Sequence, residues 1–210
     1  MDKIIKVLVL AAVIALGYLT FMSVYTPVQF DKIQQQREEV LQKKLKKIAT
    51  YQDAFEDVHH RFATADELVA FLESGKLYYV MAEGDYTDAM REQGLTEADA
   101  AAKGLIRRDT IWVSAKDSLV KDNTDITRLY SLPVGSAQIQ VDTAFISQII
   151  GLDTVLVPVF EARVPFSDYL SDQDKSRLMD KERMAKEKAK GYPGLRIGSL
   201  TEVKMTGNWE

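Results

Sequence analysis

Ser118-Leu119-Val120-Lys121 places a hydroxyl three residues ahead of an amine. Acylating serine enzymes use that spacing when a lysine of lowered pKa takes the proton from the serine. Here no S-D-N or K-T-G element accompanies it, and a chain well supplied with Ser and Lys contains one such spacing by accident. A Ser-His or Cys-His nucleophile has less material still. There is no cysteine, and the two histidines, His59 and His60, sit side by side on a long charged segment. Asp53, Asp57 and His60 fall at i, i+4 and i+7, which puts two carboxylates and an imidazole on one helix face. Acidic residues along a long helix more often form a solvated face than a metal site, and we read them so. No Walker loop, G-x-G-x-x-G, H-E-x-x-H or calcium loop occurs. The expectation is a non-enzymatic chain with no catalytic, cofactor-binding or metal-ligating residues and no cofactor.

The elements around these residues carry more information than the residues do. Val7 to Tyr25 is an apolar run without charge. At about 1.5 Å per residue, a helix of that length roughly spans a hydrocarbon core of about 30 Å. A secretory leader has a shorter apolar core and a small-residue cleavage site, whereas this run ends in Phe21, Met22, Val24 and Tyr25. The segment is therefore expected to stay as a transmembrane anchor, a signal-anchor at residues 7–25 after a short cytoplasmic tail at 1–6. Tyr18, Phe21 and Tyr25 suit an interfacial aromatic belt, and Pro27 predicts an exit from the helix before a second one begins. Lys3 and Lys6 mark a cytoplasmic end, while Lys32, Arg37, Lys43 and Lys44 count the other way. A large downstream domain is translocated largely regardless of its charges, so the carboxyl-terminal domain is expected outside the cytoplasm.

Residues 30–62 predict a helical stalk of about 50 Å. Leu41, Ile48, Phe55 and Phe62 recur at sevens, with Tyr51 and Val58 three residues after two of them, the a/d spacing of a coiled coil. Gln34, Arg37 and Lys44 interrupt the seam upstream. One reading of this face is a seam for a partner helix, in a homo- or hetero-oligomer. The other is an amphipathic helix lying on its own domain.

Residues 63–210 predict one extracytoplasmic α+β domain with a largely antiparallel sheet and flanking helices. Thr64-Ala-Asp-Glu67 reads as a capping box, and the helix it starts stops at Ser74-Gly75. KLYYVMA at 76–82 reads as a strand, followed by two short Thr-led, Gly-closed helices in TDAMREQG and TEADAAAKG. IRRDTIWVSA, DITRLYSLPV, AQIQVDTAFI, TVLVPVFEARV and LRIGSLTEVKM carry strand composition. Ile139 and Val141 alternate with Gln138, Gln140 and Asp142, as in a sheet with one wet face. Pro158 requires an edge position or a bulge. Ser171 to Lys190 reads as a charged helix, with Ser171 and Asp174 as caps.

Net charge is -4 with pI about 5.4. Such a chain has no basic surplus for phosphates, which argues against nucleic acid as a partner. The combined layout is a single-pass protein of the inner (cytoplasmic) membrane with a periplasmic domain, its partners the bilayer and other membrane or cell-envelope proteins. That layout, though no motif, is shared with assembly and scaffold subunits of bacterial envelope complexes. A membrane-tethered ligand-binding or sensory domain is the alternative, and a Ser/Lys hydrolase a distant third.

Overall fold

The computed structural model describes residues 2–120, 125–151, 153–188 and 191–210. Asp2–His59 form one continuous helix, α1, about 87 Å long at 1.5 Å per residue. The exit expected at Pro27 does not occur, because the proline lies inside the helix. Proline removes one N–H and leaves the carbonyl four residues back, on Ser23, without its helical donor. One missing bond does not end a helix whose next segment, rich in Gln, Glu, Lys and Leu, favours helix and is held by packing. The amino-terminal part of α1 is long and apolar enough to cross a membrane, and none of that apolar window is buried in the protein.

Farther along, α1 becomes the spine of the packed body. Leu41, Leu45, Ile48, Gln52 and Phe55 are buried at steps of four, three, four and three. Those steps average 3.5 residues, so the sevens continue through Leu45 and Gln52 as a second row, and the stripe packs on this chain's own core. It leans toward Leu45 and Gln52, not toward Lys44 and Val58. Lys44 stays half-buried and donates from its ammonium to the Ser131 carbonyl at 2.6 Å. After α1, His60 turns the chain with φ of 55°. Glu67 then accepts from the Thr64 N–H at 2.9 Å and opens α2, Ala65–Ser74, which packs Leu68, Phe71 and Leu72 inward.

Two antiparallel sheets follow. The first pairs β1, Lys76–Glu83, with β2, Arg107–Ser114. Between them lie the short helices α3, Asp88–Glu92, and α4, Glu97–Ala102. α5, Ala115–Leu119, leads on from β2. The strand expected in DITRLYSLPV is instead a 3-10 turn at Ile126–Arg128. The Asp125 carboxylate accepts from the Thr127 N–H at 3.1 Å and opens that turn. Ile126, Leu129 and Tyr130 are buried at helical spacing, which period-two reading does not resolve.

The second sheet has the order β3-β4-β5, from Gln140–Ile150, Asp153–Pro165 and Gly194–Gly198. Phe160, Ala162 and Val164 on β4 join Leu195 and Ile197 on β5 in one core with the α1 stripe. The alternation of β3 holds: Ile139 is buried and Val141 half-buried, while Gln138, Gln140 and Asp142 are exposed. Pro158 has β3 on one side only, because β5 pairs no farther along β4 than Glu161. The last expected strand stops at Gly198, whose φ of 79° turns the chain back. A Cβ there would meet the Phe160 carbonyl at 2.3 Å, so glycine is required. Asn208 closes the return by accepting from the Arg196 N–H at 3.0 Å and donating to the Gly194 carbonyl at 2.9 Å. Between β4 and β5 come α6, Phe166–Tyr169, and α7, Lys175–Glu187, the latter capped by Asp174 and with no buried residue. Ser171 lies before that cap.

Candidate interaction surface

The six residues of the predicted seam all lie on or just past the second half of α1. Leu41, Ile48, Tyr51 and Phe55 are buried within the single chain, and Val58 and Phe62 pack half-buried against the same core. Phe55 meets Phe71 edge-on at 5.1 Å, and Phe62 lies 4.8 Å from Phe160. The face expected to meet a partner helix is thus occupied by this chain's own α2, β4 and β5. Leu45 and Gln52, also seven apart, are fully buried beside them and fell outside the predicted seam. Gln52 clamps the turn after the helix: its Nε2 donates to the Ala63 carbonyl at 2.7 Å, and its Oε1 accepts from the Ala63 N–H at 2.8 Å.

Polar ties fix the lower end of the body to α1. Arg37 makes a two-pronged ion pair with Asp172 and also donates to the Tyr169 carbonyl at 2.7 Å. The guanidinium holds the Asp172 carboxyl down at about 2. The Tyr169 hydroxyl donates to Glu38 at 2.9 Å, and burial pushes that phenol well above its ordinary range. On the wet face of the second sheet, buried Glu161 lies between Arg163 at 2.9 Å and Arg196 at 3.4 Å, and Arg163 also reaches Asp142 at 2.7 Å. These charges satisfy one another across three strands, an arrangement that organises a sheet.

The residues singled out for chemistry are only partly described. Ser118 lies on α5, and Lys121 falls outside the described residues. The His59 ring packs 4.2 Å from Phe55 and 5.9 Å from Phe71, an aromatic contact. Among the described residues no group of three His, Asp or Glu side chains is placed to hold a metal ion. A groove of about 820 Å³ runs between α1, the end of α7 and the carboxyl-terminal return, with Tyr192, Trp209, Arg196 and Glu38 among its walls. It is half-open and mainly polar. Asn208 and Glu38 there already serve internal hydrogen bonds.

What the body leaves uncovered is apolar sheet. In β1–β2, Tyr78 and Val80 face one side with Trp112, and Tyr79 and Met81 face the other with Ile111. All six are exposed. The ribbon is attached near the far end of α1, where the Tyr78 hydroxyl donates to the Asp57 carbonyl at 3.3 Å. The β3–β4 hairpin behaves alike. Val141–Ala162 and Thr143–Phe160 are facing pairs over the core, and the same face continues outward through Phe145–Pro158, Ser147–Leu156 and Ile149–Thr154. Phe145, Leu156 and Ile149 are 58%, 65% and 77% exposed. On the opposite face the charges of Asp142 and Glu161 give way to Ala144, Ile146, Val157 and Val155. From Thr143 to Phe160 the only charged residue is Asp153, at the tip.

Sequence reasoning identified both ribbons as strands but not their exposure, because apolar strand composition ordinarily signals burial. The signal available was the missing charge on the alternate positions: a half-buried strand shows polar residues every second place, and TAFISQIIGLDTVLVPVF does not. Fold and surface together define a class, a mixed α+β body built on a helix long and apolar enough to span a membrane, with bare apolar ribbons. No family model, no curated protein and no solved structure matches the chain.

Proposed function

We propose that this chain is a non-enzymatic, single-pass membrane protein that serves as an assembly subunit of an envelope complex, with its folded body on the extracytoplasmic side. The reading rests above all on the two apolar ribbons attached near the end of α1 remote from the apolar segment. Contiguous apolar surface of this kind marks interaction sites in soluble bodies. A two-stranded hairpin standing alone is marginal in water, so ribbons this long need a cover. Asp53 and Glu56, which lie beside Val157–Phe160, are about 42 to 47 Å along the helix from Tyr25 at 1.5 Å per residue. α1 is then an anchor and a strut in one piece, and it presents the ribbons well clear of the lipid.

A ligand-binding role would place its ligand in the groove beside Tyr192 and Trp209. That groove lacks the apolar lining usual for small-molecule sites, and Asn208 and Glu38 in it already serve internal hydrogen bonds. The deciding experiment is gentle detergent extraction of the full-length protein followed by mass determination. Assembly subunits leave the membrane in a particle heavier than one chain, and Tyr79→Asp with Ile111→Asp reduces that particle while circular dichroism stays unchanged. Recovery as single chains carrying a small molecule would overturn the reading in favour of a sensor.

A further inference from the structure

We propose that the β3–β4 ribbon joins copies of this chain edge to edge, β3 of one copy to β4 of the next, in a continuous antiparallel sheet. This rests on the assembly-subunit reading and names the partner for one of its surfaces.

Among the described residues neither outer edge of the ribbon has a strand partner, and the half toward the tip is exposed on both. β3 is the end strand of its sheet, so its far side has no partner from Gln140 to Ile150. β4 is paired by β5 only from Glu161 to Pro165, so it has no strand partner on that side from Asp153 to Phe160; of that stretch Asp153 to Leu156 are exposed, Val157 and Pro158 half-buried, and Val159 and Phe160 buried. Natural proteins guard open edges with lysines, prolines or inward charges. Here Pro158 is the single such device, and at most one ladder donor is lost to it. An unlike, charged partner would need answering charges along the ribbon, and between Thr143 and Phe160 there is only Asp153. A strand as uncharged as these fits that edge, and the chain carries one in each of its own copies.

The topology selects the mode of pairing. A hairpin has one strand running out and one running back. Copies rooted in one bilayer point the same way, so turning one beside another sets the outgoing β3 of a copy against the returning β4 of its neighbour. That contact is antiparallel without any rearrangement. It is also heterologous, with each copy offering one edge and accepting another, the arrangement that closes into rings. β5 acts as a stop, because an incoming strand cannot advance along β4 past Glu161. Pairing would cover Phe145, Leu156 and Ile149 on one face and Ile146, Val155 and Val157 on the other with identical neighbours. Confinement to a membrane raises the effective concentration of the edges.

The natural absence of cysteine allows a direct test in the full-length chain in its membrane. Two tagged populations are expressed together, one with a single cysteine on β3, at Ala144, Ile146 or Gln148, the other with one on β4, at Asp153, Val155 or Val157. Every disulfide between the two tags is then intermolecular. The expected result is a mixed dimer for a register-related subset of pairs, in excess of β3–β3 and β4–β4 dimers. Ile149→Lys with Leu156→Lys should lower that yield by about tenfold or more while the far-ultraviolet spectrum is unchanged. Dimers only between like strands, or no mixed dimer at any pair, would overturn the proposal. Crosslinking of these cysteines to a different protein, with the chain still in a particle heavier than one copy, would overturn self-pairing and leave the assembly role standing. Single chains throughout would remove both.

Discussion

Gln52 shows how much of the body's uniqueness one side chain can carry. It is fully buried and spends both amide atoms on the backbone of Ala63, so it replaces the partners that the chain loses as it turns out of α1. Gln52→Leu keeps the volume but orphans an N–H and a carbonyl together. Each unsatisfied buried group costs about 1 to 3 kcal/mol, so for the two a loss of about 2 to 6 kcal/mol is expected. A lowered denaturant midpoint with unchanged slope, measured in detergent, checks it. Gln52→Glu is expected to be no better, since a carboxylate cannot donate to the Ala63 carbonyl and buries a charge. None of this was legible beforehand. Glutamine is a routine surface residue on a helix, and only the fold brings Ala63 within reach. Leu41, Ile48 and Phe55 were legible because their type and spacing alone report a face.

At the scale of elements, the long helix is held to the rest of the body partly by charge, and those ties set an acid limit. Asp172 is held at about 2 by Arg37, and Glu67 at about 2 by Arg61 and the Thr64 N–H. Their ordinary values are 3.8 and 4.5. A carboxyl depressed on folding contributes stability above its unfolded value and loses it as pH falls toward its folded one. The body should therefore lose stability between about pH 4.5 and 2, and Asp172→Asn should flatten the lower part of that dependence. The Arg61–Glu67 pair is exposed on both sides and Asp172 on its own, though Arg37 is not, so salt screens these ties and the slope should shrink in high salt, more for Glu67 than for Asp172. Denaturant midpoints taken across this pH range are the readout. Elements with a strong local signature were legible: the Thr64 box, the Asp174 cap, and β1 to β4 to within a few residues. The DITRLYSLPV turn was not, because Asp125 competes with a strand for the backbone N–H, and composition does not show who wins. The end of β5 was hidden for a related reason. Gly198 turns the chain only because Phe160 sits beneath it.

For the whole molecule, the expected arrangement is a retained span with the body outside the cytoplasm. Intact mass of membrane-extracted protein should include residues 1–25, and a reporter active only outside the cytoplasm should work when fused after Glu210. A soluble species beginning near Pro27, or a silent reporter at normal expression, would reject it. The break predicted at Pro27 had separated span from body, whereas α1 runs through as one piece. With no joint between them, the azimuth of the body about the membrane normal is set by helical phase. One residue inserted after Val28 would swing both ribbons through about 100° and raise them by about 1.5 Å. Seven inserted residues would bring them back to within about 20°, some 10 Å higher. Crosslinks scored both between neighbouring spans and between neighbouring ribbons should fall out of step after one insertion and return to step after seven. In that arrangement the helix would work as a drive shaft keyed at both ends: a neighbour that turned the apolar segment would turn the ribbons by the same angle, some forty ångströms away.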